Sequence, residues 1–453
     1  MRTLLLNPIV LPLLIALGVI ALILLGSAVS KKEVHSVLCQ VTIFLFLFTG
    51  LNVGIFPFVY LYPEALAGFD KTLDSALLQL SVYAFFTFIL RSWFAKLPQA
   101  VRQIFRNPFL GVLIIYILLA GIWSGTPLLS LKRGAVIFFT SLLSAHFASG
   151  LSWKGLSSML RRIITLATTI SLIMLLIAPS SAVVDKGLTG IFPFPIRFGT
   201  CLSFGVSLGF IHLLSARQNR WKTIGGIGFL VAVLPLTNSA QSFFTSFALV
   251  SLIGILKLSS KIQSKYIPLL VISYLGISIL LFNSINFLGT EALEILGKDA
   301  TLSGRTDFWP QLLDKLMQRP LQGYGIGGFW QPWQGSANPA NGIVNSDGFV
   351  PPNAHSGFFD LALELGLVGF VLFCAASLLG FAQAIHYYLK HQSLQAAIPL
   401  VILVYIMLAN VSETQLLGSN YIWMLYVMSL TLLSSRRSAT ASLKVIPNSL
   451  SAI

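Results

Sequence analysis

Residues 301–325 read TLSGRTDFWPQLLDKLMQRPLQGYG, and residues 351–357 read PPNAHSG. Both lie in or next to one long segment, residues 289–354, that is too polar and too rich in glycine and proline to cross a membrane. Nearly all of the remaining sequence consists of apolar runs long enough to do so. The contrast predicts an all-α polytopic membrane protein in which residues 1–453 form a single integral membrane domain with one long loop.

The composition excludes an ordinary soluble domain. Hydrophobic residues make up 56 % of the 453 positions and charged residues 9 %, with a mean hydropathy of +0.85, whereas charged residues are about 25 % of a typical soluble domain. The alternating pattern of a membrane barrel is absent, so the spans are predicted to be helices. The net charge is +15, but the basic residues stand at the ends of apolar runs, which indicates membrane topology rather than a nucleic-acid partner.

Runs that can cross about 30 Å of hydrocarbon at about 1.5 Å per residue predict about 12–14 transmembrane helices. The candidate runs are 4–29, 37–61, 73–95, 108–124, 128–149, 160–178, 198–216, 222–236, 240–257, 267–288, 355–385, 396–411 and 419–434. Most Lys and Arg residues fall in alternate connections, which are therefore predicted to be cytoplasmic. This places the loop at 289–354 on the extracytoplasmic side of the membrane.

The loop itself is predicted to contain a surface helix. Apolar residues recur there at helical spacing: Phe308, Leu312, Leu313 and Leu316. With Asp307 near its amino end and Pro320 as its stop, this helix is expected to lie on the membrane with its apolar face down. The irregular segment after Pro320 is predicted to be a lid in which Trp330 and Trp333 either stack on sugar rings or anchor at the membrane interface.

Three of the cations on the predicted outer side stand at the ends of predicted spans, against the usual charge rule. Lys132 and Arg133 lie at the outer end of the fifth predicted span, and Arg197 lies at the outer end of the seventh. One interpretation is that they extend towards lipid headgroups. The other is that they face a cavity and bind an anionic ligand.

Arg305 and His355 are the pair predicted to carry chemistry. A guanidinium can bind two phosphate oxygens at once, and an imidazole can exchange a proton near pH 7. Together they suit displacement of a diphosphate leaving group by a hydroxyl. The alternative is structural, with Arg305 paired to Asp307 at the start of a helix and His355 capping the next span.

A metal site is not predicted. His355 is followed by Asp360 and Glu364, which as a group could suggest metal ligands. On a continuous helix, however, Asp360 would lie about 140° and Glu364 about 180° around the axis from His355. The three side chains could not meet at one ion.

Several short motifs resemble the signature of the O-antigen ligase and polymerase superfamily, most closely its exopolysaccharide polymerase branch. The residues that carry the resemblance are 299–309 (DATLSGRTDFW), 319–325 (RPLQGYG), 354–357 (AHSG) and 364–369 (ELGLVG), with weaker matches at 123–133 and 412–427. The chain departs from the signature at 237–242 (TNSAQS), where family members often have a basic residue. It departs again at 194–197 (FPIR), where many members have His or Lys with Asn after the Gly-Ile-Phe segment. Arg197 is the candidate replacement for a missing cation.

The resemblance implies a function. It implies an inverting glycosyltransferase with a GT-C-type fold in the bacterial cytoplasmic membrane, acting on its outer side without a metal or other cofactor. The implied donor is an undecaprenyl-diphosphate-linked glycan, and the implied acceptor is a glycan or a lipid. A flippase and a chain-length regulator of the same pathway are candidate protein partners.

In this family the arginine and histidine of the signature are functional, and they correspond here to Arg305 and His355. The residues predicted to bind the substrate are Lys132, Arg133, Arg197, Asp307, Trp309 and Tyr324. Polymerase and ligase activities are not separated by the sequence. A transporter of lipid-linked glycans is the alternative from a different class.

Overall fold

The computed structural model describes residues 91–184, 187–192, 194–215, 220–259, 263–295, 305–345, 348–411, 413–418 and 420–442, with the backbone alone at 91–96, 181, 282–295, 305–307 and 436–442. The predicted spans at 4–29 and 37–61, and most of the one at 73–95, lie outside these residues. Every predicted span from residue 108 onwards is helical in the structure. The prediction of an all-α polytopic membrane protein is therefore confirmed.

Thirteen helices are numbered here in chain order within the described residues. They are α1 Arg91–Phe105, α2 Pro108–Leu119, α3 Pro127–Ser149, α4 Trp153–Ile177, α5 Pro179–Ala182, α6 Pro195–Ser215, α7 Arg220–Val233, α8 Ala240–Leu258, α9 Ile267–Ile295, α10 Arg305–Gln318, α11 Gly357–His391, α12 Ile398–Ala409 and α13 Tyr421–Ser442. Short 3₁₀ turns occur at Leu234–Thr237, Ser264–Tyr266, Pro332–Ala337 and Leu394–Ala397. A two-residue hairpin pairs Val183–Val184 (β1) with Gly187–Leu188 (β2) in antiparallel register.

Six of the described helical segments are long and apolar enough to cross a membrane. They are Pro127–Ser149, Trp153–Ile177, Pro195–Ser215, Ala240–Leu258, Ser264–Leu281 and Gly357–His391. A bent pair, Leu97–Phe105 and Pro108–Leu119, would make a seventh span, although its two parts meet at 113°. Side-chain caps fix several starts, since the side chains of Asn107, Ser152 and Ser239 accept hydrogen bonds from backbone N–H groups at the beginning of α2, α4 and α8.

Two boundaries differ from the sequence prediction. The connection between the predicted spans 73–95 and 108–124 is expected to be a basic loop, but Lys96 and Arg102 lie in α1, which is joined to α2 through the Asn107 cap. The basic residues can lie in a helix because straight-chain Arg, Lys and Gln side chains are good helix formers. Helix α9 also continues through Ile295, inside the predicted loop.

The centre of the described bundle consists of α6, α8, α12 and α13. Helix α12 is buried along its whole length, and Phe204 of α6 stacks on Tyr405 of α12 with ring centroids 4.2 Å apart. Small residues let α6 and α8 approach closely. The approach is close enough for the Ser203 hydroxyl to donate to the Ser242 carbonyl at 2.6 Å. Such contacts are typical of helix packing in membranes, where lipid supplies no hydrophobic drive between helices.

Helix α11 is broken near its start, and this break determines the position of the candidate site. Gly366 has φ 65° and ψ −172° in the middle of an otherwise helical segment. The chain at residues 320–325 lies against the break and supplies backbone hydrogen bonds in both directions. Tyr324 N and Gly325 N donate to the carbonyls of Leu363 and Glu364, and Leu367 N and Val368 N donate to those of Pro320 and Leu321. The interrupted helix thus has its freed backbone groups satisfied by another segment, as an interruption in a membrane helix requires.

Candidate functional site

Helix α10 forms where the spacing of apolar residues predicted a helix. Phe308, Leu312 and Leu316 are buried in a second apolar cluster with residues of the following loop and of α11, such as Phe329 and Leu363. The protein itself therefore covers Phe308, Leu312 and Leu316, which were expected to rest on the membrane, whereas Leu313 of the same predicted face is 50 % exposed. The buried part of the face docks on α11.

The first turn of α10 lies against His355. The rings of Phe308 and His355 are 6.3 Å apart, and the Trp309 indole donates to the Ala354 carbonyl at 3.0 Å. Helix α10 begins at Arg305, one turn before Phe308, and residues three apart on a helix are neighbours. Arg305 and Asp307 therefore lie in the same helical turn as Phe308, the residue whose ring contacts His355 across a long separation in sequence.

His355 itself lies outside α11. The helix begins at Gly357 with Ser356 as its N-cap residue, and His355 has φ 47°, in the left-handed region. Its N–H donates to the Asn353 side chain at 2.9 Å. The helical angles used above against a metal site do not apply to a residue ahead of the helix. Nevertheless, within the described residues no group of three or more His, Cys, Asp or Glu side chains could hold a metal ion.

A buried carboxylate, Asp360, contacts the residue that precedes His355. Asp360, in the first turns of α11, is 5 % exposed. Its oxygens accept hydrogen bonds from the Trp330 indole at 2.7 Å and from the Ala354 N–H at 3.2 Å, and also from the Thr414 hydroxyl. The negative charge near a helix N-terminus is favourable. Asp360 joins the loop, α11 and the chain before α13 at a single side chain.

A second carboxylate, Glu364, holds the next part of the loop. It is half-buried and accepts a hydrogen bond from Gly327 N at 3.0 Å, and the charge of Arg133 acts on it. The Arg133 side chain lies over Gly327, where a Cβ atom would be 2.0 Å from the guanidinium. Arg133 therefore has an acidic neighbour, Glu364, within the protein. The two sequence interpretations named lipid headgroups and an anionic ligand, and neither included this neighbour. Lys132, by contrast, is exposed.

Arg197 lies at the start of α6. Its guanidinium is over the Phe194 ring, 5.6 Å from the centroid, and its charge acts on the buried Tyr421 hydroxyl. The Arg197 Nε atom is buried and has no hydrogen-bond partner in the described part of the chain. A buried donor without a partner is unfavourable, so this side chain is suited to an anionic ligand.

Two more of the predicted substrate residues, Tyr324 and Trp309, already have protein partners. The Tyr324 hydroxyl donates to the Lys315 carbonyl at 2.9 Å, and the Arg319 guanidinium lies over the Tyr324 ring, 5.0 Å from its centroid. Burial raises the pKa of the Tyr324 phenol, and the nearby charge of Arg319 opposes the rise. Trp309 packs on Phe359 with centroids 5.7 Å apart. Trp330 donates to Asp360, whereas Trp333 is 39 % exposed. Stacking on a sugar ring and anchoring at the membrane interface remain predictions for both tryptophans.

The residues missed by sequence reasoning are Asp360 as a structural hub, Thr414 as its partner, and Gly366 as the helix break. The sequence did contain a signal for the two carboxylates Asp360 and Glu364, since acidic residues within an apolar run are unusual. The predicted span at 355–385 was also longer than the roughly 20 residues that a membrane requires. Excess length of this kind is compatible with a broken helix.

Comparison with known proteins supports the family resemblance. Residues 225–374 match the family model described as O-antigen ligase, a range that includes α10, His355 and the break in α11. The chain is also 26 % identical over 267 residues to the exopolysaccharide production protein ExoQ of Rhizobium meliloti strain 1021. That alignment covers 55 % of this chain and 59 % of the relative. The two findings confirm the predicted resemblance to the O-antigen ligase and polymerase superfamily, on the side of its exopolysaccharide branch.

Proposed function

We propose that the chain is a membrane glycosyltransferase that polymerises or ligates undecaprenyl-diphosphate-linked glycans on the outer side of the bacterial cytoplasmic membrane. The reaction is inverting and independent of metal, and the fold is of the GT-C type. The acceptor is a second glycan or a lipid. The observation that carries the proposal is the contact between the first turn of α10, which begins at Arg305, and His355.

The proposal places the two required chemical groups, the Arg305 guanidinium and the His355 imidazole, at this contact. An arginine at the start of a helix binds anions together with the free N–H groups of the first turn. His355 accepts the proton of an attacking hydroxyl or orients it. A single displacement at the anomeric carbon inverts its configuration, because the hydroxyl enters opposite the departing diphosphate. Arg305 stabilises the charge that develops on that diphosphate.

Other cations extend the proposed donor site. Arg197, with a buried Nε that lacks a described partner, and the exposed Lys132 are the proposed additional contacts to the diphosphate. Arg133, Trp309 and Tyr324 are already engaged by protein groups, so their proposed role is to shape the site. Asp307 stands in the first turn of α10, next to this contact.

One observation bears on the transporter alternative, because transporters often have broken helices near the middle of the bilayer. The break in α11 does not require that position. Residues 367–391 would be about 38 Å long at about 1.5 Å per residue, enough to cross about 30 Å of hydrocarbon without the preceding turns. In the proposed arrangement the break lies at one end of the span, where it meets the loop, as suits a glycosyltransferase.

The test uses purified protein in lipid nanodiscs with a lipid-linked oligosaccharide. The wild type is expected to lengthen or transfer the glycan and to release lipid diphosphate, with no loss of activity in a chelator. Arg305→Ala and His355→Ala are each expected to lower turnover by about 10²–10³-fold, the usual effect of removing one group that stabilises transition-state charge. Full turnover in either variant at normal protein level would refute the assignment.

Matched controls come from the same chain. Arg106 is exposed after α1, and His391 is exposed at the opposite end of α11 from His355. Arg106→Ala and His391→Ala remove the same chemical groups away from the site and are expected to retain activity. A transporter would instead move the lipid-linked glycan across the bilayer with no change in its covalent structure.

A further inference from the structure

We propose that Asp360 is a positioning residue that holds His355 in the orientation required for the reaction, an inference that rests on the function proposed above. Asp360 does not need to contact the substrate. Its carboxylate acts through the backbone of the preceding residues and through two side chains from other segments.

The first part of the evidence is the backbone contact. Ala354 N lies 3.2 Å from both carboxylate oxygens of Asp360, and the Asp360 N–H donates to the Ser356 carbonyl at 3.0 Å. The residue before His355 and the residue after it are therefore both tied to the same aspartate. His355 has little freedom to move independently of α11.

The second part is the conformation of His355. Its φ of 47° is one that non-glycine residues adopt only when the surroundings impose it. The His355 N–H is taken by the Asn353 side chain at 2.9 Å, and the Thr414 hydroxyl lies 3.3 Å from the same Asn353 oxygen. That hydroxyl has a single proton to donate, and its closer partner is Asp360. Asp360 and Asn353 are thus connected through Thr414 as well as through the backbone.

The third part is the link to the loop. The Trp330 indole donates to Asp360 at 2.7 Å, and Trp309 of α10 donates to the Ala354 carbonyl at 3.0 Å. The peptide groups before His355 are therefore held by Asp360 on one side and by the first turn of α10 on the other. This double attachment sets the position of the imidazole relative to the start of α10.

The chemistry of the site requires a carboxylate. Every group that faces Asp360 in these contacts is a donor, namely an indole N–H, a backbone N–H and a hydroxyl. An asparagine would keep one oxygen but place an NH₂ group against these donors. Asp360→Asn is therefore expected to disrupt the arrangement with almost no change in side-chain volume.

The kinetic test is a double-mutant cycle on the full chain in nanodiscs. Asp360→Asn is expected to lower kcat by about 10²-fold, the effect of a displacement of about 1 Å in a catalytic group, with KM for the lipid-linked donor unchanged. In a His355→Ala background the same substitution is expected to have no further effect on the residual rate, because the group that it positions is absent. Equal losses in both backgrounds would overturn the proposal, and so would a rise in KM with kcat unchanged.

A second measurement does not depend on activity. Hydrogen exchange at residues 353–357 is expected to accelerate in Asp360→Asn, whereas Glu364→Gln, four residues further along α11, is expected to affect residues 326–330. If wild-type protein shows no glycan transfer, the proposed function fails but the exchange result still decides whether Asp360 holds this segment. Unchanged exchange at 353–357 in Asp360→Asn would overturn the proposal.

A milder variant covers the case in which Asp360→Asn does not fold. Thr414→Val removes one donor to Asp360 and leaves the carboxylate and its other contacts in place. It is expected to lower kcat by a smaller factor than Asp360→Asn, again only when His355 is present. An equal loss in both backgrounds would count against the proposal.

Discussion

Replacing Gly366 by alanine is expected to detach residues 320–325 from the break in α11. The native conformation, φ 65° and ψ −172°, belongs to a region used almost only by glycine, so alanine would be strained by about 1–3 kcal/mol. The added Cβ would also lie 2.2 Å from the Leu321 carbonyl oxygen and 2.6 Å from Gln322 N. These are backbone atoms, and they can yield only if the whole segment moves.

Movement of the segment would break the backbone hydrogen bonds that connect it to α11. Tyr324 N and Gly325 N of the segment donate to carbonyls of α11 before the break. Leu367 N and Val368 N of α11, after the break, donate to carbonyls of the segment. At about 1 kcal/mol for each of the four bonds, the loss adds to the conformational strain of about 1–3 kcal/mol to give about 5–7 kcal/mol. The spanning helices do not depend on these bonds, so the expected change is a local opening rather than unfolding of the bundle.

The assay is hydrogen exchange at the amides of Tyr324, Gly325, Leu367 and Val368. A loss of about 5–7 kcal/mol in the free energy of local opening corresponds to exchange that is about 10⁴–10⁵-fold faster. Glycan transfer is expected to fall in parallel, because Asp360 lies near the start of the same broken helix and His355 precedes that helix by two residues.

The matched control is Gly276→Ala in α9. A Cβ atom at Gly276 would have no neighbour within 4 Å, and alanine favours a helix by about 1 kcal/mol over glycine. This variant should therefore be as stable as the wild type or slightly more so. Wild-type exchange at all four amides in Gly366→Ala would refute the reasoning, since it would show that the segment accommodates a side chain at the break without moving.

Further predictions concern packing and the outer cations. Gly199→Ala is expected to lower the free energy of unfolding by about 1–3 kcal/mol, because its Cβ would lie 2.0 Å from Ser242 Oγ. Thermal unfolding in detergent measures this change. The control is Gly254→Ala, because a Cβ atom there would enter open space. Arg133→Gln is expected to cost about 1 kcal/mol and to speed exchange at Gly327, because the half-buried Glu364 loses its positive neighbour. Lys132→Gln, at an exposed position, should leave stability within about 0.5 kcal/mol but raise KM for the donor; an unchanged KM would remove Lys132 from the donor site.

The positions of the helices could be predicted from the sequence because the membrane imposes a simple rule. A span needs about 20 apolar residues and satisfies its own backbone groups, so runs such as 128–149 and 240–257 correspond closely to α3 and α8. Helix α10 was predictable for a similar reason, since Phe308, Leu312 and Leu316 share one face. What that face packs against was not predictable, because both lipid and protein can cover an apolar stripe.

The candidate site was less predictable because its contacts are distant in sequence. Trp330, Ala354 and Thr414 meet at Asp360 from three separate segments, and no local periodicity records such a meeting. The resemblance identified Arg305 and His355 as a pair but gave no physical reason for the glycines around them. The structure supplies a physical reason for Gly323, because a Cβ atom there would lie 2.5 Å from Gly366 N, too close for any side chain.

The break at Gly366 also explains how a spanning helix can contribute to a site at its end. The direction of residues 367–391 is set by the membrane and by packing against other helices, and a continuous α11 would carry its first turns along that same axis. With the break, residues 357–365 are oriented instead by the loop, through the backbone contacts of Tyr324 and Gly325 and the bond from Gly327 to Glu364. Those residues include Asp360, which ties down Ala354 beside His355. The loop therefore adjusts the histidine through the short helical segment, and a change at residues 320–327 is expected to alter the site without touching it.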